Sequence, residues 1–126
     1  MLEIKECKDI LRYSDIINDL LDDYALVSVA EAYDGERVSG FGVYSYEKDA
    51  VVIHRVEYGD DLYLADGIVR TILFKAMMNG IDRGVFAANE SNDILTSKLK
   101  YIKDKGRIIN SITDFMDNCK NCKECN

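Results

Sequence analysis

The densest reactive cluster in this sequence is Cys119-Lys120-Asn121-Cys122-Lys123-Glu124-Cys125. The spacing Cys-x2-Cys-x2-Cys presents three thiols in a short loop, and Cys7 is a candidate fourth ligand for tetrahedral zinc or an iron–sulfur cluster. Lys120 and Lys123 favour the reactive thiolate, so a redox-active or modified tail is a second reading, and an unstructured tail a third. A different chemistry is offered by Glu57 and His54, the latter the single histidine. A carboxylate or an imidazole at a strand end can move a proton. Strand alternation puts His54 on one face with Val52 and Val56, and Glu57 on the other with Ile53 and Arg55, unless the strand bulges. A third feature is the stretch from Leu62 to Gly67, read as a turn entering a helix. The free N–H groups of a helix start attract an anion. Asp66, close to Asp60 and Asp61, opposes it.

These residues need a frame. Leu2–Cys7 reads as a strand, and Asp15–Asp23 as a helix with Ile16, Ile17, Leu20 and Leu21 on one face and Ser14 or Asp15 as its cap. Leu26–Tyr33, Val38–Tyr46 and Ala50–Tyr58 read as strands, joined by the reversals at Asp34-Gly35 and Lys48-Asp49 into an antiparallel meander. The period then changes. Ile68–Gly80 carries Ile68, Val69, Ile72, Leu73, Ala76 and Met77 on one face, with Gly80 as its stop. Val85–Ala88 is a short strand, and Asn92–Lys105 a helix capped by Ser91 or Asn92. Arg107–Ile112 is a last strand or the lead into a short helix through Phe115 and Met116. The expected class is α/β (α+β), with a mixed, mostly antiparallel sheet flanked by helices. One domain over residues 1–117 is followed by a cysteine-rich tail, 118–126. Any ligand is expected at the strand–turn–helix spanning Val51–Gly80.

Composition narrows the partners. The net charge of -7 disfavours a nucleic-acid backbone as ligand. The surplus is uneven: residues 1–96 are acidic and residues 97–126 basic, so the C-terminal stretch can dock on the acidic body or meet an anion. No apolar run reaches the roughly 20 residues of a membrane span. The start lacks a signal pattern, and a cytoplasmic location with reduced cysteines is expected. With 48% hydrophobic residues, a core needs no metal or disulfide support.

The order of elements and the local sequence from Val38 to Gly106 resemble the GNAT superfamily of acetyl-CoA-dependent N-acetyltransferases. The family's pyrophosphate turn follows Gln/Arg-x-x-Gly-x-Gly/Ala. Its counterpart here is Leu62-Tyr63-Leu64-Ala65-Asp66-Gly67, where only Gly67 fits; Leu62 stands for the Gln/Arg and Ala65 for the first glycine. The resemblance implies that acetyl-CoA is bound by the backbone of Val56 and Glu57, by Leu62 through Ile68, and beside Asn89 or Asn92. It implies that Glu57 takes the proton of the acceptor amine, and that Tyr101, ahead of Gly106, protonates the leaving thiolate. The Tyr-to-Gly spacing is one residue longer than is usual in the family. Tyr44, Tyr46 and Tyr58 are candidates for an acceptor pocket. A small-molecule or peptide amine is the implied acceptor, and paired meander sheets would allow a homodimer. A catalytically silent GNAT-like domain, motivated by Ala65 and Asp66, is the alternative, and a metal-dependent sensor built on the tail is a third reading.

Overall fold

In the computed structural model, residues 2–20, 27–99 and 107–116 are described. Six strands form one sheet in chain order: β1 (Leu2–Glu6), β2 (Val27–Asp34), β3 (Arg37–Glu47), β4 (Ala50–Glu57), β5 (Gly84–Phe86) and β6 (Ile108–Ile109). Every pairing is antiparallel except β4 with β5. That parallel join requires a crossover, supplied by α2 (Leu62–Met78). A short 3-10 turn (Ile10–Tyr13) runs directly into α1 (Ser14–Leu20). The remaining helix is α3 (Glu90–Leu99), and a helical stretch at 112–116 follows β6.

The meander forms where its turn residues place it. Asp34 pairs with Arg37 across a two-residue loop in which Gly35 takes φ +68, and Lys48 takes φ +51 at the next reversal. The sheet divides the core in two. Ala32, Tyr44, Val51, Ile53 and Val56 lie with α2, whose buried residues Leu64, Ala65, Ile68, Val69, Ile72, Leu73 and Ala76 keep helical spacing. Cys7, Ile17, Val27, Val29 and Val43 form a smaller cluster with α1 on the opposite face. Gly42 sets the distance of α2 from the sheet. A Cβ there would stand 2.8 Å from both Ile68 Cγ2 and Ile72 Cδ1.

The smaller cluster is bordered by a buried carboxylate. Glu31 is 1% exposed, and it accepts hydrogen bonds from Arg12 (3.0 Å to each oxygen), Tyr33 (2.7 Å) and the Tyr13 hydroxyl. Burial works against its charge, but the two tyrosines, Cys7 and Arg12 outweigh it and hold its pKa below the usual range. Arg12 also donates to Cys7 Sγ at 3.4 Å. This group fastens the segment leading into α1 onto β2.

α2 ends as its sequence predicts. Gly80 has φ +84, its N–H donates to the Met77 carbonyl, and Ile81 N donates to Ala76 O. Its start differs. Residues 62–67, expected as a turn, are the first turns of the helix, because Asp61 caps it and Leu64 and Ala65 already belong to its apolar face.

Candidate functional site

The parallel pairing of β4 and β5 is brief. Val51, Val52 and Ile53 face Gly84, Val85 and Phe86, and the last bond is Ala87 N–H to Ile53 O at 2.9 Å. Beyond it the strands part, and β4 runs on from His54 to Glu57. Two asparagines hold this fork. Asn89 Oδ1 accepts from Asn92 N at 2.8 Å and so caps α3, the place expected for Ser91 or Asn92. The Nδ2 of the same residue donates to the His54 carbonyl at 2.8 Å. Asn92 is fully buried, and its Nδ2 donates to Ile53 O (3.0 Å) and Ala87 O (2.8 Å). Two carbonyl partners fix the orientation of that amide. Its Oδ1 is left with no hydrogen-bond partner among the described residues. A buried acceptor without a donor is costly.

Among the described residues, no strand pairs with β4 on the fork side beyond Ile53. Ile53 turns its carbonyl away from β3 and stands opposite Tyr44; Val56 holds the equivalent place opposite Gly42, so its N–H and C=O face away from β3. Between them the register slips: Val43 pairs with Arg55, and Tyr44 with Ile53. His54 is the extra residue of this bulge. The consequence corrects the simple alternation. Ile53 and Val56 both belong to the α2 core, so His54, Arg55 and Glu57 all lie on the other face of the sheet. Glu57 is exposed at the strand end and pairs with Arg55 at 3.0 Å. His54 is buried, with Nε2 2.8 Å from Ser45 Oγ. That partner is not signalled by the sequence, since Ser45 sits nine residues away on β3.

Burial lowers the His54 pKa below the ordinary histidine range, with Glu47 opposing the shift. The unfolded chain then binds more protons than the folded one below about pH 6.5, so stability is full above that pH and falls as acid is added. His54→Gln, which keeps a partner for Ser45, is expected to flatten this part of a urea-denaturation series taken between pH 7 and 5. An unchanged slope would assign the dependence elsewhere.

The residues from 62 to 68 are placed differently from the expected turn. Leu64, Ala65 and Ile68 are buried against the sheet, and Ala65 N already donates to the Asp61 carbonyl. Gly67 lies within the helix, where a Cβ would meet Ile4 Cδ1 at 3.3 Å. Its small size therefore serves contact with β1. Asp66 is held by Arg70 one turn on, at 2.8 Å. Leu62 and Tyr63 are exposed at the helix tip. The amides of Tyr63 and Leu64 donate to Asp61 Oδ1 at 3.0 and 3.1 Å. Tyr44, Tyr46 and Tyr58 lie with the α2 core rather than on the face of Glu57. Tyr101, Cys119, Cys122 and Cys125 lie outside the described residues. Cys7 is buried beside Arg12, and the described residues contain no group of three metal-ligating side chains. No described helix is long and apolar enough to cross a membrane.

Solved structures similar to this chain include acetyltransferases. The chain is similar to a Bacillus subtilis acetyltransferase in complex with CoA, with a TM-score of 0.59 and 16% identity over 79% of this chain and 74% of that one. It is similar to a ribosomal-protein-alanine N-acetyltransferase from Brucella melitensis, with a TM-score of 0.61 and 14% identity over 81% and 90%. A GNAT family acetyltransferase from Elizabethkingia anophelis with acetyl-CoA bound gives 0.60 and 14% over 79% and 74%. No family model matches the sequence, and no curated protein matches it. The chain has the GNAT fold: a mixed, mostly antiparallel six-stranded sheet flanked by helices, opened between its fourth and fifth strands.

Proposed function

We propose that this chain is an N-acyltransferase that takes an acetyl group from a coenzyme A thioester and delivers it to an amine. The observation that carries the reading is the fork between β4 and β5. Its strand edge at Val56 and its acceptor on Asn92, both without a partner among the described residues, suit an extended arm that carries its own amide groups. Bound there, the thioester would supply an acyl carbon activated toward amine attack. Asn89 and Asn92 keep the fork open by tying β4 to the start of α3. Glu57 sits at the end of the same strand, where its carboxylate accepts the proton an amine must lose, directly or through one water. Arg55 pairs with that carboxylate until an ammonium competes for it. Tyr101 remains the proposed donor to the departing sulfur. The acceptor is proposed to be a small-molecule or peptide amine, and the net charge of -7 favours a cationic one.

The direct test is release of free thiol from acetyl-CoA in the presence of a panel of amines, read together with thermal stability. Ligand at a hundredfold excess over Kd adds about 2.7 kcal/mol, so a rise in Tm of several degrees at saturating acetyl-CoA is the expected result. A flat melting curve at millimolar acetyl-CoA would remove the reading.

A further inference from the structure

The β4–α2 connection is a four-residue loop, Tyr58-Gly59-Asp60-Asp61, and Asp61 occupies the backbone donors where it enters α2. Asp61 N donates to Tyr58 O at 3.1 Å, and Ala65 N to Asp61 O at 3.1 Å. Tyr63 N and Leu64 N are both taken by the Asp61 carboxylate. The positive end of α2 therefore holds an anion of its own. A phosphate placed there has to displace this carboxylate and tolerate its charge, since both compete for the same N–H groups. Asp66 is no part of this contest, because Arg70 neutralises it one turn further on.

We infer that Asp61 is a resident anion that suppresses phosphate recognition at α2, so that the chain selects its thioester by the arm in the fork and not by the nucleotide end. The inference rests on the thioester reading above. Its consequence concerns substrate class: pantetheine thioesters lacking the pyrophosphate are bound about as well as coenzyme A thioesters. The independent observation is the fork itself, where a fully buried side-chain oxygen has no donor among the described residues, while two first-turn amides of α2 are already taken by Asp61.

Calorimetric titration of coenzyme A, pantetheine and inorganic pyrophosphate into the parent chain, Asp61→Asn and Asp61→Ala tests this. Asp61→Asn keeps an oxygen for the Tyr63 and Leu64 amides, so the helix cap survives while the charge is gone. The parent is expected to bind coenzyme A and pantetheine within about threefold of each other, and Asp61→Ala to gain about tenfold or more for coenzyme A and pyrophosphate with pantetheine unchanged. Asp61→Asn falls between. A parent that already prefers coenzyme A to pantetheine by about tenfold, or an Asp61→Ala chain with no gain for either phosphate ligand, overturns the inference. Failure of the thioester reading looks different: pantetheine binds to none of the three chains, while the pyrophosphate titration still reports on Asp61.

Discussion

Gly40→Ala is expected to destabilise the chain by about 2 kcal/mol, within the range measured for overfilled cores, and to displace the end of β4. The Cβ would stand 2.5 Å from the Glu57 carbonyl oxygen, 3.0 Å from Leu64 Cδ2 and 3.3 Å from Ile68 Cδ1. The nearest obstacle is backbone, which cannot rotate away as a side chain can. Gly42→Ala is the natural comparison. Its obstacles at 2.8 Å are the side-chain methyls of Ile68 and Ile72, so part of the strain can relax. Urea midpoints should therefore rank parent above Gly42→Ala above Gly40→Ala. Gly40→Ala should also lose activity beyond its loss of stability, because the shifted carbonyl belongs to Glu57. Equal midpoints for the two variants would show that β4 gives way there more easily than its geometry implies.

Glu57→Gln is expected to lower kcat by about a hundredfold or more, the scale of a positioned general base, while thioester binding stays unchanged. The substitution keeps the size and hydrogen-bonding reach of the side chain and removes its ability to accept a proton. Arg55→Ala separates the two partners of the ion pair: it keeps the carboxylate and removes only its cation, and should change kcat far less than Glu57→Gln does. Full activity in Glu57→Gln would move the proton transfer to another group.

Much of the sheet is legible in the sequence, because its turns announce themselves. Asp34-Gly35 and Lys48-Asp49 fall at the two reversals of the meander, and strand ends shift by only one residue. The start of α2 was open to a wrong reading when residues 62–67 were matched to a turn motif. The physical signals pointed the other way: Asp61 is a good cap, and Leu64, Ala65 and Ile68 continue the helical stripe backward from Val69. The site was legible only in part. Asn89 and Asn92 are recognisable as candidates, yet that Asn89 both caps α3 and holds β4 depends on strand placement. The shared face of His54 and Glu57 depends on a bulge, which alternation in a single strand cannot reveal.

The sheet order carries a consequence for how the chain assembles. Each strand lies beside its neighbours in sequence, and β2 to β4 can form as two hairpins closed over short distances, whereas β1 reaches β2 across α1. The join of β4 to β5 is different in kind, since parallel strands cannot meet until the intervening helix has docked. The fork lies at the end of this three-residue parallel pairing. The part of the molecule proposed to meet its substrate is then also the last part of the sheet to be assembled, and it opens without disturbing the hairpins formed before it.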